Sequence, residues 1–214
     1  MASNVASSER MTEDLPSVDA LWLDTLQRIC TRVAHELKGA LNGVSVNLEV
    51  VRSRSERPEA PASGVARYAS SASDQLDAVI AMTEAVLAMA RAPREPVDIG
   101  SIIRRLDALL SPTARVDGRT LEFRGPIDDL GITSSIGNGA RLVLSVTLLA
   151  ALDTSMHVIC EACAASNGGV GPMVRIECRG GTAPVLDADV VAVAAEQGIG
   201  LQCDSSVISI RFPR

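Results

Sequence analysis

Between Ser17 and Arg54 the chain has no proline, and Leu26, Cys30, Val33, Leu37, Ala40, Val44, Asn47 and Val51 recur at alternating steps of four and three. This is a heptad seam, the mark of a helix that must bury one stripe against another helix. Asn47 is its one polar member. The stretch "SRSERPEAPASG", with two prolines and a glycine, breaks the pattern and reads as a loop. A second seam follows at Val65, Ala69, Ala72, Leu76, Val79, Thr83, Val86 and Ala90, on a helix running from about Val65 to Ala92 and stopping before Pro93. Two long helices joined by a short loop form an antiparallel hairpin. Neither helix buries its stripe fully against one partner, so the expected solution is a homodimer in which two hairpins pair as a four-helix bundle. Each fully buried Leu or Val would contribute about 1.5–3 kcal/mol.

Composition narrows the rest. The 214 residues are 47% hydrophobic but only 2% aromatic, so the core must be built from Leu, Val, Ile and Ala. A net charge of −6 argues against nucleic acid as a partner, since that requires a basic footprint. No apolar run approaches the roughly 20 residues of a membrane span, so no membrane partner is expected. The N-terminus, "MASNVASSERMTEDLPS", has no apolar region of a signal peptide and reads, over 1–20, as a disordered tail. The five cysteines are odd in number and do not form a disulfide framework. Cys160 and Cys163 make a CxxC, but no second close pair completes a zinc site; buried, reduced cysteines and a cytoplasmic location are expected.

After the proline-bearing hinge "APREPVDI" the pattern changes. "SIIRRLDALLSPTARVDG" reads as a helix and "RTLEFRG" as a strand. "GARLVLSVTLLAALDTS" reads as an apolar helix. "MHVICEACA" and "MVRIECRG" read as paired strands around the loop "ASNGGVGP", "DADVVAVAAEQG" as a helix and "VISIRF" as a final strand. Helices mixed with mainly antiparallel strands predict a two-layer α/β sandwich over 97–214, following a helical hairpin over 21–93.

The first helix also carries one of the chain's two histidines, His35. At ~100° per residue it lies about 160–200° from Val33 and Leu37, away from the seam and on a polar stripe with Thr31, Lys38, Asn42, Ser45 and Glu49. "HELKGALN" resembles the H-box of the dimerisation-and-phosphotransfer domain of histidine kinases, commonly H-E-[IL]-[RK]-x-P-[LI]-[NAST]. His35, Glu36, Leu37, Lys38, Leu41 and Asn42 match, and Ala40 stands in place of the usual proline. The resemblance covers about Leu21 to Ala92 well and the remainder weakly.

The resemblance implies that His35 is the phosphorylated residue, and that Glu36 accepts a hydrogen bond from the other ring nitrogen or takes its proton. His157 is the only alternative histidine; it lies in an apolar strand-like segment with no carboxylate directly after it. Lys38 would steady phosphoryl charge, and Asn42 would support local packing or hydrogen bonding. Gly39 stands where bifunctional family members place a Thr or Asn that orients water for phosphatase work. A glycine there weakens the helix by roughly 0.8–1 kcal/mol relative to alanine. Helix loosening and close approach of a partner backbone are both open as reasons.

The second half resembles the ATP-binding domain of the same kinases, with its nucleotide elements missing. "ARLVLSVTLLAALDTS" corresponds to the N-box helix, but its two registers place Val146 and Ala150, or Thr147 and Ala151, where asparagines belong. "ECRGGTAP" lacks the adenine-binding aspartate, and "VLDADVVAVAAEQG" follows too closely to leave room for a phosphate lid. "NGGVG", from Asn167 to Gly171, reads as a hairpin turn and "GIGL" as a helix-ending glycine. The whole resembles the small dimeric histidine phosphotransferases. These relay a phosphoryl group between response-regulator receiver domains, or from a hybrid histidine kinase to a receiver, and use the eroded ATPase-like domain as a docking wall. The resemblance implies no bound cofactor and Mg²⁺ supplied by the partner receiver. A divergent active histidine kinase, and a non-catalytic adaptor or pseudokinase that binds a response regulator, are the alternatives.

Overall fold

The computed structural model describes residues 17–57, 62–92, 97–135, 137–163 and 171–214. The expected tail lies outside these residues as far as residue 16; both loop prolines, the hinge prolines and most of the "ASNGGVGP" turn lie outside them as well.

Helix α1 spans Val18–Ser55, so residues 17–20 form its cap and first turn. The Ser17 hydroxyl accepts from Ala20 N at 3.2 Å, satisfying one of the amides a helix start leaves unpaired. Arg52 and Arg54 in the last turn suit the negative end of the helix dipole. Helix α2 spans Ala62–Ala90 and runs back along α1. Asn47, the polar member of the seam, sets their register: its amide donates to Ser71 Oγ at 3.2 Å and to Gln75 Oε1 at 3.1 Å.

The seam on α2 needs a correction. Within the chain, the positions turned inward are Val65, Tyr68, Ala72, Gln75, Val79, Met82, Val86 and Met89, while Ala69, Leu76, Thr83 and Ala90 are exposed. The expected stripe lies between the face turned to α1 and the solvent-exposed face. The inward stripe is rotated by one residue at alternate positions. On α1 the expected seam is at least half-buried throughout.

The base of the hairpin is buried by the second half of the chain. Trp22, Ile29, Val33, Met82 and Met89 share one apolar cluster with Ile99, Leu106, Leu144 and Leu148. That second half begins with the short strand β1 (Val97–Asp98), which pairs antiparallel with β3 (Ile132–Thr133). Between them lie α3 (Ile99–Val116), β2 (Thr120–Arg124) and a 3₁₀ turn at Ile127–Asp129. Then come α4 (Gly139–Thr154), β4 (His157–Cys163), β5 (Met173–Arg179), α5 (Ala188–Glu196), β6 (Gly200–Asp204) and β7 (Val207–Arg211). The main sheet has the order β2-β4-β5-β7-β6; β2 and β4 are parallel and the other pairs antiparallel.

Strand alternation gives the sheet two unlike faces. Val158, Cys160, Ala162, Val174, Ile176, Cys178, Ile208 and Ile210 are buried in the core with the helices. Glu161 and Arg175, cross-strand partners on the other face, approach to 3.8 Å. The fold is therefore a helical hairpin followed by a two-layer α/β sandwich. β6 is the strand of the main sheet that the sequence pattern does not announce, as it does not announce the short β1 and β3. "GLQCD" has no β-branched residue, and it becomes a strand through its edge pairing with β7, Leu201 opposite Ile210 and Cys203 opposite Ile208.

Candidate phosphotransfer site

His35 lies well inside α1 and its side chain is exposed. No hydrogen bond to the imidazole occurs among the described residues. The contacts of Asn47 with Ser71 and Gln75 fix the hairpin register and together place His35 at about the level of Ala85 on α2. Arg28, Arg32, His35, Gly39 and Asn42 follow one another at steps of four and three, so they share one outer stripe. Gly39 and Asn42 are exposed, as is Lys38 to the side of the stripe.

Glu36 is half-buried. It continues the series Ile29, Val33, Glu36, Ala40, Gly43 and Asn47, which turns toward α2. Adjacent side chains on a helix do not face each other, and the Glu36 carboxylate is not hydrogen-bonded to the ring.

The two glycines in this stretch differ. A Cβ at Gly43 would run into the Gln75 amide, so this glycine makes room for that side chain of α2. A Cβ at Gly39 would meet nothing within 4 Å. No packing contact among the described residues requires a glycine one turn after His35.

At its C-terminal end α4 meets the His35 stripe. Arg32 donates to Asp153 Oδ1, and Arg28 lies 3.8 Å from the other oxygen of the same carboxylate. At the opposite end of α4, Arg141 is buried and donates to the carbonyl oxygens of Met89 at 3.3 Å and Arg91 at 2.6 Å. Burial first, and then the charge of Arg105, lower the pKa of Arg141 from the usual guanidinium value. Asn138 donates to Asp19 Oδ1 at 3.0 Å. The helix expected to resemble an N-box is thus a strut across the base of the hairpin. Its two candidate asparagine registers are occupied by half-buried Val146 and Ala150, and by fully buried Thr147 and Ala151. The Thr147 hydroxyl is committed to Val143 O at 2.7 Å.

Only residues 180–187 connect β5 to α5. Gly180 has φ +74°, and a Cβ at Gly181 would meet Ser155 Oγ at 2.6 Å, so this turn packs tightly onto the end of α4. The "GIGL" reading corresponds to a glycine cap on α5: Gly198 has φ +67°, and Ile199 N donates to Ala194 O at 2.8 Å.

Cys160 and Cys163 are three apart on a strand and project from opposite faces. Burial pushes the Cys160 thiol far above its ordinary pKa, and burial also raises that of Cys163. Cys203, expected to be buried, is exposed, because β6 is an edge strand. His157 also departs from expectation. Strand alternation turns it to the charged face, with its Nε2 3.7 Å from Glu122 Oε2. A cleft of about 340 Å³ lies between α2 and α3, bordered by Glu84, Arg104 and Arg105, with no residue of α1 in its lining.

No protein-family model matches the chain, and no curated protein sequence matches it. Solved structures similar to it include histidine kinases. The blue-light activated histidine kinase EL346 of Erythrobacter litoralis superposes with a TM-score of 0.42 at 17% identity, over 64% of this chain and 54% of that one. The Acinetobacter baumannii histidine kinase AdeS gives 0.38 at 11% identity, over 84% and 97%. Full-length ShkA in complex with AMPPNP gives 0.40 at 18%, over 87% and 45%. The chain therefore spans about half the length of the first of these.

No helix among the described residues is long and apolar enough to cross a membrane.

Proposed function

We propose that the chain is a histidine phosphotransferase of a two-component phosphorelay. It carries a phosphoryl group on His35 between receiver-domain aspartates of response regulators, or from a hybrid histidine kinase to a receiver. The observation that carries this reading is the imidazole of "HELKGALN", exposed on a helix and without a hydrogen-bond partner among the described residues. A ring in that setting is open to a second protein.

In the transfer step, the lone pair of one ring nitrogen forms the N–P bond as the P–O bond to the receiver's aspartate breaks. That bonding pair leaves with the carboxylate, and the proton on the other ring nitrogen passes to Glu36 or to water. Transfer onward is the reverse: an aspartate oxygen attacks phosphorus, the N–P pair returns to the ring, and the ring recovers its proton. Positioning and charge stabilisation supply most of the catalysis in such in-line transfers. Mg²⁺ comes with the receiver's acidic pocket, and this chain binds no cofactor.

The transferring unit is a homodimer. Leu41, Leu48, Leu76, Ile80 and Leu87 are 45–53% exposed on the hairpin of one protomer, beside the half-buried seam of α1. A second hairpin would cover them. The sandwich over 97–214 is an ATPase-like domain without nucleotide function, and it serves as a docking wall. The ends of α4 support this reading, since their polar side chains are spent on holding the hairpin.

The test is incubation of the protein with phosphorylated receiver domains. Label should appear on His35, be acid-labile and base-stable as a phosphoramidate is, and be absent from His35→Gln. Label on His35→Gln equal to that on the wild type would make the assignment to His35 wrong, and a wild-type chain that takes no label from any receiver it binds would put the adaptor reading in its place.

A further inference from the structure

We infer that Arg32 is a second residue of the transfer site, a cation that meets the phosphoryl group on His35, and that Asp153 of the sandwich is the positioning residue that holds it there. This inference rests on the phosphotransfer reading of His35.

A phosphoryl group on an exposed imidazole brings concentrated negative charge to the surface of a chain whose net charge is already −6. The side chains that can reach it from the same helix stand one turn away, at steps of three and four. Four positions qualify. The Thr31 hydroxyl is committed to Gln27 O at 2.9 Å, and Gly39 has no side chain. Lys38 and Arg32 remain, one after His35 and one before it. Arg32 is the more ordered of the two, because a carboxylate from a distant part of the chain fixes it. It is also the better phosphate ligand, since a planar guanidinium offers several donors in fixed geometry.

The charge count around Asp153 supports the assignment. One carboxylate faces two guanidiniums, Arg28 and Arg32, so the pair of arginines is not neutralised. The Asp153 side chain is 44% exposed and that of Arg32 30% exposed, so the contact lies at the rim of the interface rather than in the core. A guanidinium with several N–H groups keeps donors for an incoming oxyanion while it remains bonded to Asp153. The sandwich would therefore contribute to transfer through one side chain, in addition to any surface it offers to a receiver.

The test compares Arg32→Gln, Arg32→Lys, Asp153→Asn and Arg28→Gln in the full chain. Labelling of His35 is followed with phosphorylated receiver and, separately, with phosphoramidate as a small donor that needs no docking. Arg32→Gln should slow labelling roughly 10–100-fold with both donors. Arg32→Lys should recover part of that loss, and Asp153→Asn should slow labelling by less than Arg32→Gln. Arg28→Gln should label as the wild type does. Arg32→Gln labelling at the wild-type rate would overturn the inference. So would a loss seen with the receiver alone, which would make Arg32 a docking residue, or an equal loss in Arg28→Gln, which would make the effect one of general surface charge. A wild-type chain that takes label from neither donor would instead defeat the phosphotransfer reading, and this inference with it.

Discussion

Arg141 on α4 donates to the carbonyl oxygen of Arg91 at 2.6 Å, setting a buried cation on the end of α2. It also reaches Met89 O, so one side chain satisfies carbonyls that the helix end leaves unpaired. With Asp153 gripping α1 from the other end of the same helix, α4 ties both arms of the hairpin to the sandwich.

Removing that cation should loosen the junction. Arg141→Met leaves buried carbonyls without donors, a loss of about 1–3 kcal/mol. Thermal or urea unfolding should show the lower stability, and amide exchange should rise around residues 89–92. Unchanged exchange there would mean that Arg141 does not hold the end of α2.

The proposed dimer should be separable from the fold. Leu76 and Leu87 are 45% and 53% exposed within a protomer, so Leu76→Asp with Leu87→Asp should leave the hairpin folded while breaking the bundle. Light scattering should report a monomer with helical circular dichroism retained. Leu37→Ala, at a half-buried seam position, should instead weaken fold and dimer together, by no more than the roughly 2–5 kcal/mol of a fully buried site. A wild-type monomer at micromolar concentration would rule out the four-helix bundle.

Gly39 and Gly43 should respond differently to alanine. At Gly39 the new methyl enters open space, and the helix gains about 0.8–1 kcal/mol. At Gly43 it strikes the Gln75 amide, which must swing off Asn47, so most of that gain is cancelled. Urea titrations of the two variants measure the difference directly.

Glu36→Gln keeps size and polarity but cannot take a proton. If the carboxylate is the proton acceptor, labelling of His35 should fall by about 10²-fold or more, with helical content unchanged. A loss of only a few-fold would limit Glu36 to orienting the ring.

Calorimetric titration with ATP and Mg²⁺ should show no binding, since α4 offers Val146, Thr147, Ala150 and Ala151 where nucleotide-binding asparagines would stand. A micromolar affinity would restore the kinase reading.

The sequence by itself determined the hairpin, because a seam kept over many turns leaves a helix few ways to bury it. It determined that His35 faces outward, which follows from 3.6 residues per turn alone, and it located the sandwich helices and most of its strands from their apolar periodicity. Tertiary structure decided what periodicity leaves free. Whether Met82 or Thr83 turns inward on α2 is a matter of a fraction of a turn, settled by where α1 lies. β6 exists because β7 offers it an edge, and His157 faces charge because the neighbouring Val158 faces the core. The carboxylate beside the His35 stripe, Asp153, lies 121 positions from the arginine it holds. No local pattern marks such a pair, because a contact between distant segments is created only when the core beneath it, from Trp22 to Leu148, is assembled.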